Sequence, residues 1–135
     1  MIEYTTEKLE DLGYKLENAL IKDVDLSMAD HGCITFRMVL DGDGWGCVYG
    51  NCNLGHGYLG AETFDSYPDA MEYIMRIMDA VGCNTFNGMK GRYVRVATKG
   101  WGGTIKVIGN IIKDNWFDTE SFFADKENEN ENGVD

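Results

Sequence analysis

A chain of 135 residues, 44% of them hydrophobic, is long enough for one domain with a substantial core, which excludes global disorder. The net charge of −11 makes duplex nucleic acid a poor partner, because non-specific affinity for DNA rests on basic contacts to phosphates. No apolar run approaches the roughly 20 residues that a membrane-spanning helix needs, and the N-terminus shows no signal-peptide pattern. Four cysteines without framework spacing predict reduced thiols and a cytoplasmic location.

The first third of the chain predicts a short helix followed by antiparallel strands. Residues 6–12 form the helical turn, with Thr6 as its cap and Leu9 and Leu12 facing inward. Residues 17–28 and 33–40 are then predicted as strands, because the later half of the first and the whole of the second show period-two alternation, which is typical of strands with one buried face. The inward side chains of the second strand are Ile34, Phe36, Met38 and Leu40.

A glycine-rich stretch, residues 41–60, follows these strands and has seven glycines in twenty positions. Each glycine in a helix costs roughly 1 kcal/mol relative to alanine, so the stretch predicts a strand at 45–53 with a loop at each end. Alternation places four side chains on the solvent-facing side, opposite Val48, Cys52 and Leu54. The four are Trp45, Cys47, Tyr49 and Asn51.

Residues 66–81 predict the main helix, capped by Ser66 and ended by Gly82. Its apolar stripe is expected to lie on the dry face of the sheet, and comprises Ala70, Met71, Ile74, Met75, Ile77, Met78 and Val81. A hairpin follows, with strands at 92–98 and 104–108 and a turn at 99–103. A last apolar segment contains Ile111, Ile112, Trp116 and Phe117.

These elements predict an α+β domain, with a twisted antiparallel sheet of about five or six strands and one main helix packed on one face. The domain is expected to span residues 1–117. Residues 118–135 carry seven acidic residues and one lysine, and they predict a disordered acidic tail.

The residues that could carry out catalysis or bind a metal have no recognisable arrangement. Nucleophilic catalysis requires a thiol or hydroxyl beside a positioned base, but no known local motif surrounds His31, His56 or the cysteines. A structural zinc site requires four suitably spaced ligands, and no Cys-x-x-Cys or His-x-x-x-His occurs. No catalytic residue, metal or cofactor is therefore expected. The loop at 55–60 suits the flexible rim of a pocket better than a phosphate loop.

The solvent-facing side of the sheet carries the clearest candidate for binding. Tyr93 and Arg95 alternate away from Val94 and Val96 on the later strand. Aromatic rings offer stacking faces for a base, and arginine offers a forked donor for phosphate. The alternative is that these aromatic side chains are buried against a second subunit. The two interpretations are compatible, since pockets often form between subunits.

Four segments together resemble a family of small bacteriophage proteins, the first Thoeris anti-defence proteins. The segments are residues 27–33, 42–50, 89–96 and 107–117, the last reading Val-Ile-Gly-Asn-Ile-Ile-Lys-Asp-Asn-Trp-Phe. The resemblance implies a homo-oligomer in the host cytoplasm that sequesters glycocyclic ADP-ribose without cleaving it. Such a protein denies the signal to the Thoeris effector, and some members also take up cyclic oligonucleotides.

For such a ligand, the chemistry of the side chains favours seven residues. Arg92, Arg95 and Lys113 suit the pyrophosphate, and Asn110 suits the edge of adenine. Stacking is assigned to Tyr93, Phe86 or Trp116. Two alternatives stay open: an enzyme that degrades a cyclic nucleotide signal, and a protein-interaction inhibitor whose acidic tail mimics nucleic acid.

Overall fold

The structure is a computed structural model that describes residues 2–100 and 103–132. Within these residues one curled antiparallel sheet has seven strands, in the order β4-β3-β2-β1-β5-β6-β7. The strands are β1 (Lys15–Asp30), β2 (Cys33–Asp41), β3 (Gly46–His56), β4 (Asp65–Ser66), β5 (Tyr93–Thr98), β6 (Val107–Gly109) and β7 (Trp116–Asp118). The helices are α1 (Thr6–Asp11), α2 (Ala70–Val81) and α3 (Thr119–Asn132), with a 3₁₀ turn at Asn87–Met89.

The predicted α+β class is confirmed, although the sheet has more strands than expected. The inward side of β2 is as predicted, because Phe36, Met38 and Leu40 are buried against α2 and β5. Two residues of the turn predicted at 99–103, Trp101 and Gly102, lie outside the described residues.

Strand β3 differs from its predicted alternation. Tyr49 and Leu54 are both buried, with 1% and 2% of their surface exposed, whereas Val48 is 39% exposed. The cause is an irregularity at Gly50 and Asn51, whose φ angles of 87° and 50° are left-handed. The register shifts by one residue there, as at a β-bulge, so the strand changes parity midway. The prediction that Tyr49 faces solvent is therefore wrong.

Both early helices begin differently from the prediction. Helix α1 is capped by Thr5, whose hydroxyl accepts from the Lys8 amide, and Leu12 is half exposed. Helix α2 begins at Ala70, because Ser66 belongs to β4 and pairs with Gly55.

The apolar stripe predicted for α2 is too wide. Met71 and Met75 are 66% and 65% exposed, while Tyr73 is fully buried. Seven apolar positions exceed what one helical face can bury. The predicted C-terminus is correct, since Gly82 is left-handed with φ 82°.

The chain does not continue as a disordered tail at residue 118. Residues 119–132 form α3, and Phe122 on its first turns is 2% exposed in the main core. Its ring centroid lies 5.7 Å from that of Tyr73. Lys126 also ties α3 to α2, with Nζ 3.0 Å from a Glu72 carboxylate oxygen. The domain therefore extends beyond residue 117, and residues 133–135 lie outside the described part.

We predict that Phe122→Ala lowers the free energy of unfolding by about 3–5 kcal/mol, because it leaves a cavity in the core. Urea denaturation of the variant and the wild type measures this difference. The matched control is Glu127→Ala, at an exposed position on the same helix. Equal stability of Phe122→Ala and Glu127→Ala would show that α3 is not part of the core.

Three tyrosines are expected to make the fold sensitive to alkali. Burial and the neighbouring Asp118 carboxylate raise the pKa of Tyr4 from 10.0 to about 12, and the Tyr4 hydroxyl donates to that carboxylate at 3.2 Å. Burial also raises the pKa values of Tyr49 and Tyr73. The unfolded chain then loses these protons at lower pH than the folded chain does.

Titration of these tyrosines should therefore not affect the free energy of unfolding near neutral pH. The free energy of unfolding should fall as pH rises from 10 towards 12. Tyr4→Phe should start about 1 kcal/mol less stable at neutral pH, because it loses one hydrogen bond. Its decline above pH 10 should be shallower, since one titrating group is gone. Thermal unfolding followed by circular dichroism across this range measures both effects, and identical slopes would contradict the assignment.

Candidate functional site

A cleft of about 670 Å³ lies where β5 begins, and we call it the Tyr93 cleft. Its walls come from the C-terminal end of α2, from the loop between β6 and β7, and from β1. The lining residues are Asn18, Val81, Gly82, Gly91, Arg92, Tyr93, Asn110, Ile111 and Ile112. The cleft therefore lies where β1, the start of β5, the end of α2 and the β6–β7 loop come together.

Arg92 and Tyr93 present free side chains to this cleft. Their backbone is fixed because the Ile21 amide donates to the Arg92 carbonyl at 2.8 Å. The Arg92 guanidinium is exposed and has no hydrogen bond or ion pair with any other residue that the structure describes. The Tyr93 side chain is 55% exposed, on the side opposite buried Val94. Together they offer a cation and an aromatic ring to a ligand.

Asn110 holds two walls of the Tyr93 cleft together. Its Nδ2 donates to the Val81 carbonyl at 3.2 Å, at the end of α2. Its Oδ1 accepts from the amides of Ile112 and Lys113 at 3.0 and 2.9 Å. A Cβ on Gly82 would lie 2.7 Å from Nδ2, so this close approach requires glycine. The side-chain oxygen already accepts two hydrogen bonds, so Asn110 has a structural role in the wall of the cleft. The role predicted for it, hydrogen bonding to the edge of adenine, does not fit this position.

Arg95 is also occupied by structural contacts. Its Nε donates to the Asn110 carbonyl at 2.7 Å, and its Nη2 donates to the Lys113 carbonyl at 2.8 Å. The guanidinium carbon lies 4.6 Å from the centroid of the Trp116 ring. Arg95 therefore supports the loop from beneath, which does not fit the pyrophosphate role predicted for it.

Trp116 has no ring face open for stacking. It is 7% exposed, packs with Leu9, and donates from Nε1 to an Asp114 oxygen at 2.6 Å. This hydrogen bond, with those from Thr6, holds the pKa of Asp114 below its usual range. The stacking role predicted for Trp116 does not fit this buried position.

The remaining two predicted residues lie apart from the cleft. Phe86 is half-buried on the helix side of the sheet, with its ring centroid 6.1 Å from that of Phe36. Lys113 is exposed on the loop beyond Ile112 but does not line the Tyr93 cleft. Of the seven residues predicted to bind the ligand, the structure thus brings together Arg92, Tyr93 and Asn110 in the Tyr93 cleft.

A second cleft of about 610 Å³ adjoins the first, and we call it the Met75 cleft. It is lined by Met75, Met78, Asp79, Gly82, Cys83, Asn84 and Arg92. Arg92 and Gly82 belong to both clefts. The Asp79 carboxylate accepts a hydrogen bond from Asn115 at 3.1 Å.

Several of these lining residues carry little sequence signal for a binding site. Met75 was expected in the core, and the excess width of the helical stripe was the one signal that some methionine had to be exposed. Asn18 carries no local signal, because only its pairing with Arg95 across the sheet places it beside the cleft.

The two histidines lie outside both clefts. His31 is exposed in the β1–β2 turn, with Nδ1 2.7 Å from an Asp30 oxygen, and His56 is exposed at the end of β3. No group of three or more potential metal ligands occurs among the described residues. Within the same residues, no helix has the length and apolar character needed to cross a membrane.

Comparisons with protein-family models, with curated proteins and with solved structures find no match for this chain.

We predict that Arg95→Lys lowers the free energy of unfolding by about 1–3 kcal/mol, because lysine cannot donate to two carbonyls through a planar fork. Chemical denaturation measures the loss. The control is Arg37→Lys, an exposed arginine on β2. If the two variants are equally stable, Arg95 does not hold the loop.

Proposed function

We propose that this protein binds and sequesters a cyclic ADP-ribose-type nucleotide in the Tyr93 cleft without cleaving it. In this way it would keep the signal from a Thoeris effector in the host cytoplasm. The observation that supports the proposal most is the exposed Arg92 guanidinium, which has no hydrogen bond or ion pair among the described residues and belongs to the same cleft as the exposed Tyr93 side chain.

The chemistry of the cleft suits a planar anionic ligand. A guanidinium donates two parallel hydrogen bonds to phosphate oxygens. A base stacked on an aromatic side chain contributes about 1–3 kcal/mol. The apolar walls, Val81 and Ile112, would shield these contacts from water.

Tight capture requires more than these two contacts. Nanomolar affinity corresponds to about 12 kcal/mol, and a charged hydrogen bond contributes only about 1.5–3 kcal/mol. A second copy of the chain that covers the cleft would supply further contact area and exclude water. Ile112, 85% exposed at the rim of the cleft, supports this proposal of a homo-oligomer.

The composition of the clefts supports binding over turnover. Cleavage would need a nucleophile or water activated by a positioned base. The Cys83 thiol lines the Met75 cleft but is buried and donates to the Thr85 carbonyl at 3.3 Å. No histidine lines either cleft, and Asp79, the carboxylate lining the Met75 cleft, accepts a hydrogen bond from Asn115.

We predict that Arg92→Ala and Tyr93→Ala each weaken the binding of cyclic ADP-ribose by about tenfold to a hundredfold, as loss of a charged hydrogen bond or a stacking contact would. Isothermal titration calorimetry measures the affinities. The matched controls are Arg37→Ala and Tyr58→Ala, since Tyr58 is 57% exposed and lies outside both clefts. Binding that survives both cleft substitutions would contradict the proposal.

A second experiment separates capture from cleavage. The protein is incubated with the nucleotide and then denatured by heat, and the released compound is identified by mass spectrometry. Recovery of the intact nucleotide in stoichiometric amount is the expected result. Recovery of a cleaved product would instead show an enzyme that degrades the signal.

A further inference from the structure

Three of the residues that line the Met75 cleft carry sulfur, namely Met75, Met78 and Cys83. Residues three apart on a helix are neighbours on its surface, so Met75 and Met78 project from the same side of α2. The Cys83 amide donates to the Met78 carbonyl at 3.0 Å, which places Cys83 directly beyond the last turn of that helix. The cleft therefore gathers two thioethers and one thiol from one short stretch of chain.

We propose that Met75, Met78 and Cys83 form a binding site for a soft monovalent metal ion, Cu⁺. Thiolate and thioether sulfur atoms are the protein ligands that select Cu⁺. Among the described residues, His, Cys, Asp and Glu side chains form no group of three that could hold a metal. Methionine sulfur is a separate class of donor, and here it completes the set. The metal site needs no nucleotide, so it stands apart from the proposed function.

The two methionines can reach a shared ion without disturbing the core. Met75 is 65% exposed, and Met78 is half-buried at the edge of the main core. Tyr73 and Ile77 supply fully buried side chains on the other side of α2. Because methionine is unbranched and has three rotatable bonds, the two thioethers can converge on one ion.

The Cys83 thiol is oriented by the turn that follows α2. Its Sγ donates to the Thr85 carbonyl at 3.3 Å and lies 3.9 Å from the Thr85 hydroxyl oxygen. That hydroxyl oxygen accepts from the Gly88 amide at 3.2 Å, which leaves its own proton available to the sulfur. A Cβ on Gly88 would lie 2.9 Å from Sγ, so the close packing of this turn around the thiol requires glycine.

Binding of Cu⁺ releases the Cys83 thiol proton to solvent, because the thiolate is the form that ligates a metal. The hydrogen bond to the Thr85 carbonyl is then lost, and the Thr85 hydroxyl can donate to the thiolate instead. One thiolate balances the charge of one Cu⁺. The bound unit is therefore neutral, so the Arg92 cation that lines the same cleft does not repel it.

Zinc suits the Met75 cleft less well than Cu⁺. Protein zinc sites use cysteine, histidine and carboxylate ligands, and structural sites use four of them. The cleft offers one thiol, no histidine, and the Asp79 carboxylate, which accepts a hydrogen bond from Asn115 at 3.1 Å. We therefore expect Cu⁺ to bind in the presence of excess Zn²⁺.

The first test titrates the reduced full chain with Cu⁺ without oxygen, in competition with the chromogenic chelator bicinchoninate. We expect one equivalent to bind. Cys83→Ser and the double variant Met75→Leu, Met78→Leu should each weaken binding by at least about tenfold. The reason is that removing a group that merely orients a metal ligand already costs about tenfold to a hundredfold.

Matched controls separate this site from the other sulfur atoms of the chain. Met71→Leu alters a methionine on the same helix that is 66% exposed and lines neither cleft. Cys33→Ser alters a half-buried thiol on β2 that also lies outside both clefts. Both controls should bind Cu⁺ as the wild type does.

Three results would overturn the proposal: a wild type that binds no Cu⁺, a Cys83→Ser variant that binds it unchanged, and a methionine double variant that binds it unchanged. Circular dichroism shows whether each variant is folded. Because Cys83 is buried, Cys83→Ser can fail to fold. The double variant then decides, since leucine keeps the apolar character and nearly the volume of methionine.

X-ray absorption at the copper edge gives an independent test of the ligands. The wild type with one equivalent of Cu⁺ should show a first shell of three sulfur atoms. A shell that contains nitrogen or oxygen would place the ion elsewhere, for example at His31 or His56, and would contradict the assignment.

Discussion

The side-chain amide of Asn110 is the contact on which the candidate site depends. It joins the loop between β6 and β7 to the last turn of α2, through one bond to the Val81 carbonyl and two bonds from loop amides. Gly82 permits this approach, because any side chain there would meet the amide. Arg95 holds the same loop from below. With the loop fixed in this way, Arg92 and Tyr93 lie in a cleft instead of on an open surface.

The distribution of charged side chains limits where an anionic ligand can bind. A chain with a net charge of −11 repels anions at a distance. Much of its positive charge is neutralised within the described residues, as when Lys126 and Arg76 both pair with Glu72. Arg92 is instead left without a carboxylate partner among those residues. An anionic ligand can therefore pair with the Arg92 guanidinium in the Tyr93 cleft without displacing a carboxylate.

The sequence predicted the class and the faces of β2 and β5, because regular alternation determines which side chains are buried. It did not predict the reversal of parity in β3, which arises from two left-handed residues, Gly50 and Asn51. The prediction of a disordered tail at 118–135 rested on its acidic composition. It did not take account of Phe122, a buried apolar residue that anchors α3 in the core. Of the site, the exposed side chain of Tyr93 was predictable from alternation, whereas that of Arg92 was not, because Arg92 has the same parity as buried Val94. The structural roles of Asn110 and Arg95 were not, because they depend on contacts between segments far apart in the chain.

We propose that one anionic nucleotide binds around Arg92, between the end of α2 and the β6–β7 loop. Chemical-shift mapping by NMR, with the isotope-labelled chain titrated with cyclic ADP-ribose, tests this claim most directly. A ligand bound around Arg92 should produce the largest amide shifts in residues 82–84, 91–93 and 110–112. Shifts that concentrate instead in the glycine-rich loop at 55–60, or an unchanged spectrum at saturating ligand, would contradict it.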